Sequence, residues 1–271
     1  MFAVLGISGI WIIFDGQYQN GNGIIASVNN LVARYDERMI LDHVNLEIRR
    51  GEILAIIGGS GSGKTTLLKH FIGLLKPYEG TVELFGQDWW ELGEVEREET
   101  IQQVGVLFQG GALLESRTLA SNVALPMEQH TNLPDNVIRR VVRLKLRQVG
   151  LRGAEDRMPS ELSGGMRKRA SLARALVLDP PLLFCDEPSA GLDPPTTIML
   201  DNLLMDLRDS LGLTMVVVTH DTASISRIAD RIAFLEKGEL VFIGPLQDAF
   251  KCEIDSVRQF FEVRKKIEKD Y

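Results

Sequence analysis

Nine consecutive residues, Gly58-Gly59-Ser60-Gly61-Ser62-Gly63-Lys64-Thr65-Thr66, combine the residue types that hold phosphate. They fit the spacing G-x-x-x-x-G-K-[ST] in full. Glycines without side chains let successive backbone N–H groups turn inward around an anion, and a helix opening at Lys64 adds its positive dipole end at the same point. Lys64 then reaches the outer phosphates. The Thr65 hydroxyl ligates a magnesium ion whose other positions go to phosphate oxygens and water. A glycine-rich hairpin with a chance lysine is the plain alternative. Against it, an apolar run over 53–57 precedes the loop and Leu67-Leu68-Lys69-His70-Phe71 follows it, so strand, loop and helix all agree with the motif.

Further apolar runs end on polar groups. Leu182-Leu183-Phe184-Cys185-Asp186-Glu187 reads as a strand ending in two carboxylates. Such a pair is common by itself. Downstream of a phosphate loop, Asp186 reads as the group that ligates or orients the magnesium and Glu187 as the one that takes a proton from an attacking water. The run over 215–219 ends on His220-Asp221, and that over 104–108 delivers Gln109 into Gly110-Gly111-Ala112. A lone strand-end histidine is usually a satisfied polar residue, but in open α/β sheets ligands sit at the carboxyl ends of strands, where this one falls. Ser163, Gly164 and Gly165 stand at the start of a helix over 167–176 and offer a second place to hold an anion. The triplet Arg167-Lys168-Arg169 in that helix is expected to face solvent. Tyr35, just before the turn Asp36-Glu37-Arg38, either stacks on a nucleobase or packs against the fold; position alone leaves both open.

The elements that must position these groups alternate between strand and helix over most of the 271 residues, which suits one α/β domain with an inserted subdomain. Segments 24–28, 31–35 and 41–48 read as strands of a partly exposed antiparallel sheet. Helices are expected from 64 to about 75, over 89–100 with Trp89 and Trp90 as cover for the core, and over 133–149 as a helical insertion. Residues 232–235 and 239–243 form a closing hairpin, and the remainder to Tyr271 is charged and helical. The net charge of -7, with no basic stripe, argues against a protein that coats nucleic acid. Cys185 and Cys252 make no disulfide framework, so they read as packing residues in a reducing compartment. Segment 1–14 is too short to span a bilayer and lacks the basic start and cleavage site of a signal peptide, and 17–23 reads as a linker.

Taken in order, these residues resemble the nucleotide-binding subunits of ABC transporters, over about 24–243. The resemblance rests on the Walker A loop Gly58–Thr65, the Q-loop Gln109, the signature Leu162-Ser163-Gly164-Gly165-Met166, the Walker B strand ending on Asp186, the adjacent Glu187, the D-loop Asp193 and the switch His220. It implies a P-loop fold with a mixed sheet core, an antiparallel β subdomain and an inserted α-helical subdomain over about 111–176. The ATPase domain would cover 24–250, after an extra segment 1–23 and before a helical tail 251–271. It also implies ATP held with Mg2+ between two copies packed head to tail. Tyr35 would meet adenine; Gly58, Gly59, Ser60, Gly61, Ser62, Gly63, Lys64, Thr65 and Thr66 would hold the phosphates; Thr65, Gln109 and Asp186 would hold the metal. Glu187 would act as general base and His220 would position the γ-phosphate, while Ser163, Gly164 and Gly165 of the second copy, with Asp193, would close the site.

Within the family the likeness is strongest to the ATPases of Mla-type phospholipid transporters, which work with an MCE-domain protein. It is carried by residues 105–113, by Asn122-Val123-Ala124-Leu125-Pro126 with His130-Thr131, and by Glu161 to Met166, where Met166 replaces the glutamine usual in the superfamily. This implies a peripheral subunit on the cytoplasmic face of a bacterial inner membrane. An integral permease would dock near 109–122, and the tail would bind the second copy or a small regulatory subunit.

Overall fold

The structure is a computed structural model that describes residues 23–267. The expectations for 1–14, for 17–22 and for the last residues to Tyr271 lie outside that range. Strands β1 (Ile24–Tyr35) and β2 (Arg38–Arg49) pair antiparallel across the turn at Asp36. The two strands expected at 24–28 and 31–35 are one strand carrying a bulge. Its register slips between Val28 and Leu31, where Asn30 turns left-handed (φ 51°) and its N–H donates to Asn45 Oδ1 at 2.8 Å. After β3 (Ile53–Gly58) and helix α1 (Lys64–Phe71), β4 (Glu79–Leu84) and the short β5 (Gln87–Asp88) complete a four-stranded antiparallel sheet in the order β2-β1-β4-β5.

Two expected helices are shorter than their patterns. Helix α1 stops at Phe71 because Gly73, left-handed at φ 72°, lets the Leu74 and Leu75 N–H groups turn back onto the Lys69 carbonyl. Helix α2 (Glu94–Ile101) begins five residues after Trp89, where the Glu96 carboxylate accepts from Gly93 N–H at 2.7 Å. Trp89 is buried, as expected of core cover. Strand β6 (Val104–Leu107) leads to a helical group: α3 (Leu119–His130), α4 (Asp135–Gln148) and α5 (Gly164–Ala175). Then come β7 (Leu182–Asp186), α6 (Pro194–Leu211), β8 (Thr214–Val218), α7 (Thr222–Ile228), the hairpin β9 (Arg231–Glu236) and β10 (Glu239–Pro245), α8 (Leu246–Ala249) and α9 (Asp255–Ile267).

The central sheet runs β10-β9-β3-β8-β7-β6, parallel except for the hairpin edge. Every residue of β3, β7 and β8 is buried, because helices and the second sheet cover both faces. Alternate residues divide between them. Leu183, Cys185, Met215 and Val217 face the helices α3 to α6, while Leu182, Phe184, Val216 and Val218 face α1 and the antiparallel sheet. Cys185 is wholly buried, which pushes its thiol up to about 12 and leaves it a packing group. The charged C-terminal helix is anchored by aromatics: Val257 and Phe261 of α9 are buried, and Phe260 meets Phe234 of β9 edge-on at 5.4 Å.

Candidate nucleotide site

The glycine loop joins the carboxyl end of β3 to α1, and its shape explains its composition. Gly58 has φ 144°, and a Cβ there would stand 2.1 Å from the Leu235 carbonyl oxygen. Gly63 has φ 106°, and a Cβ would meet Leu41 Cδ2 at 2.6 Å. Neither position admits a side chain. The floor is tied by Gly238 N–H donating to the Ser62 carbonyl at 3.2 Å. Lys64 Nζ donates to the Gly58 and Gly59 carbonyls at 3.0 and 2.8 Å. Burial pushes the Lys64 ammonium below its ordinary range, against the pull of Glu187 and Asp186.

Two features fit this loop to a bound phosphate group. Helix α1 has no side-chain cap, since Gly63 has no side chain to supply one, so its first-turn N–H groups depend on a ligand or water. The Ser62 Oγ is buried without a partner. Beside the loop lies an open pocket of about 290 Å3 lined by Tyr35, Arg38, Ile40, Gly61, Gly63, Lys64, Thr65 and Thr66. Tyr35 is half exposed there rather than packed in the core. Arg38 reads from the sequence only as a turn residue, and nothing in the local pattern distinguishes it from a solvated arginine.

Glu187 follows β7 in a left-handed conformation (φ 46°), its N–H bound to the Val218 carbonyl at 2.8 Å. Its carboxylate accepts from Thr219 Oγ1 at 3.2 Å and lies 2.8 Å from His220 Nδ1. The end of β8 therefore holds the carboxylate at the end of β7. Asp186 is buried, and desolvation, followed by the charge of Glu187, raises its pKa against Lys69, Lys168 and Lys64. A hydroxyl, an amide and a carboxylate, from Thr65, Gln109 and Asp186, would leave half of an octahedral shell to phosphate oxygens and water, a division that suits magnesium.

The expected site residues form two groups. The loop, Asp186, Glu187 and His220 gather at one end of the central sheet. Ser163, Gly164 and Gly165 lie instead against the start of α6: a Cβ on Gly164 would meet Leu192 Cδ2 at 3.4 Å, and one on Gly165 would meet Thr196 Cγ2 at 2.5 Å. Ser163 Oγ caps α5 by accepting from Met166 N–H at 3.3 Å, and Asp193 caps α6 by accepting from Thr196 N–H at 3.3 Å.

The basic triplet does not form a solvated face. Lys168 is buried, with Nζ donating to the carbonyls of Gln109 and Glu187, and burial lowers its pKa despite the pull of Cys185, Asp186 and Glu187. Arg167 pairs with Glu115 at 2.8 Å, and Arg174 donates to the Gly111 and Ala112 carbonyls. Asn122 of α3, fully buried, donates to the Leu114, Arg117 and Thr118 carbonyls and accepts from Leu114 N–H. Together these side chains fix the segment after Gln109. The spacing of Lys168 four residues before Leu172, on one helical face, was the available signal for its burial.

Comparison with known proteins agrees with this geometry. Residues 41–190 match the family described as ABC transporter. The chain is 42% identical to the intermembrane phospholipid transport system ATP-binding protein MlaF of Haemophilus influenzae, over 89% of this chain and 91% of that one. It is 41% identical to the probable ribonucleotide transport ATP-binding protein Mkl of Mycobacterium tuberculosis (90% and 68% covered), and 40% identical to the methionine import ATP-binding protein MetN 2 of Listeria monocytogenes (87% and 70%). Among solved structures it resembles the dimeric cassette MJ0796 in a post-hydrolysis state bound to ADP and phosphate, with TM-score 0.74, 32% identity and coverage of 82% of this chain and 99% of that one.

Proposed function

Because this chain belongs to the ATP-binding subunits of ABC transporters, we propose that it hydrolyses ATP to drive phospholipid movement between the two membranes of a bacterial envelope. ATP binding and hydrolysis are the family's chemistry. The lipid assignment is carried by one observation, the 42% identity to a phospholipid-transport ATPase across nearly the full length of both chains. The signature variant Met166 and the segment over 105–113 support it.

In this reading residues 24–250 form the ATPase unit, 111–176 its helical subdomain and 251–271 a tail. The loop 58–66 cradles the phosphates and Tyr35 meets the base. Thr65, Gln109 and Asp186 hold magnesium, which when bound offsets phosphate charge. Glu187 takes a proton from the attacking water at its carboxylate, and His220, 2.8 Å from that carboxylate, positions the γ-phosphate. The dimeric form of a similar solved cassette supports a head-to-tail pair of copies, in which Ser163, Gly164, Gly165 and Asp193 of one copy complete the site of the other. Among the described residues no helix is long and apolar enough to cross a membrane. By its likeness to a phospholipid-transport ATPase, the subunit works beside an integral permease, at the cytoplasmic face of the inner membrane, with an MCE-domain protein and a small regulatory subunit as further partners.

The 40% identity to a methionine import ATPase favours a second reading, a solute importer. Purification through a tag on this chain from solubilised native membranes, with mass spectrometry of proteins and lipids, separates the two. A permease with an MCE-domain protein and phospholipid supports lipid transport. A solute-importer permease overturns it and leaves the ATPase chemistry in place.

A further inference from the structure

We propose that Lys168 is a positioning residue for hydrolysis, its buried ammonium fixing the Gln109 and Glu187 backbones relative to one another. The inference rests on the roles given above to Gln109 and Glu187. Strands β6 and β7 pair in parallel from Val104 with Leu182 to Leu107 with Cys185. Continued by two residues, the same register would set Gln109 opposite Glu187, but the ladder stops short of them. At that level Lys168 Nζ donates to the Gln109 carbonyl and, at 3.2 Å, to the Glu187 carbonyl. A side chain from α5 thus supplies the rung that the backbone no longer makes.

The need for such a rung is visible in the local geometry. Glu187 is left-handed at φ 46°, a conformation that a non-glycine residue keeps only when its surroundings hold it there. Its N–H and carboxylate are held from the end of β8, while its carbonyl accepts from Ala190 N–H at 3.1 Å in the following turn and from Lys168 of α5. Burying an ammonium is unfavourable unless it is fully engaged, and both of these acceptors belong to residues assigned to the reaction. Arg174, on the same helix, holds the next carbonyls of the loop, Gly111 and Ala112, so Lys168 is the link between the loop and the carboxylate strand.

The test is ATPase kinetics, with equilibrium nucleotide binding and melting temperature, on the complex purified through a tag on this chain. Lys168→Met is expected to lower kcat by about 10- to 100-fold, as a small misplacement of reacting groups does, with KM and nucleotide affinity within about threefold of wild type. Lys168→Arg, which keeps a buried donor, is expected to recover most of the loss. Should the methionine variant fail to fold, Lys168→Gln carries the same comparison. Wild-type kcat in the neutral variant overturns the inference. So does a loss shared equally by kcat and nucleotide affinity that arginine does not repair. Glu187→Gln is assayed alongside. Normal turnover there removes the role of Glu187 and this inference with it, whereas a dead Glu187→Gln beside a fully active Lys168→Met removes the inference alone.

Discussion

Helix α1 opens after a glycine loop and α5 opens on two glycines of its own, and the sequence marks both as places to hold an anion, yet they begin differently. The first turn of α1 has no side-chain cap, and Gly58 and Gly63 before it combine a positive φ with contacts that exclude a Cβ. Helix α5 is capped by Ser163, and its glycines keep right-handed φ values; a Cβ would press on Thr196 at Gly165 but make only ordinary contact at Gly164. A helix start left unsatisfied within its own chain depends on a ligand for completion. A capped one is stable by itself and keeps only part of its donor set for anything that approaches. That division is what a site shared between two copies requires.

The largest expected effect lies on the α1 side. Glu187→Gln should keep nucleotide binding, lower turnover by about 100-fold or more, and give an ATP-dependent dimer on size-exclusion chromatography. Turnover at the wild-type rate would take the general base away from Glu187. Next, Gly58→Ala should cost about 3 kcal/mol or more in stability and abolish nucleotide binding, because the new Cβ meets a backbone carbonyl at a left-handed φ. Gly164→Ala should stay within about 1 kcal/mol, since its Cβ meets only the end of Leu192. Equal losses in thermal denaturation would erase the contrast between the two glycine segments.

Smaller effects sharpen it. Ser163→Ala should cost about 1 kcal/mol through loss of the cap, read as a lowered Tm, with nucleotide binding to the monomer unchanged. The smallest effect concerns His70 in α1. Burial depresses its pKa below the ordinary 6.5, against the Thr66 and Lys76 carbonyls. The unfolded chain therefore takes up the proton first as pH falls. Stability is fully present above 6.5 and is lost as pH drops through the folded value. Tm measured from pH 7.5 to 5 should fall less steeply in His70→Gln than in wild type.

Local rules read the nucleotide loop well because the loop is local: one strand end, four glycines, a lysine and a helix start lie within a dozen residues. The parallel strands were equally legible, since burial on both faces makes them unbroken apolar runs. Other features depend on partners distant in sequence. The bulge that makes β1 a single strand is fixed by Asn45 across the hairpin, and the buried state of Lys168 by carbonyls 59 and 19 residues away. Within the helical subdomain expected over about 111–176, α3 has no signal of its own, and α6 lies outside every expected helix. Pro126 lies inside α3 and masks its periodicity, whereas α6 carries start and stop signals at Asp193-Pro194 and Gly212 that would have placed it.

The turn between β9 and β10 has a consequence for synthesis. Gly238 N–H holds the Ser62 carbonyl, and the Gly238 carbonyl accepts from Asp42 N–H. The phosphate-binding motif is synthesised in full once residue 66 is added, but its floor arrives about 170 residues later. A nascent chain carrying the whole motif is therefore still unable to form the finished cradle, and ATP can reward folding only after translation has passed the closing hairpin.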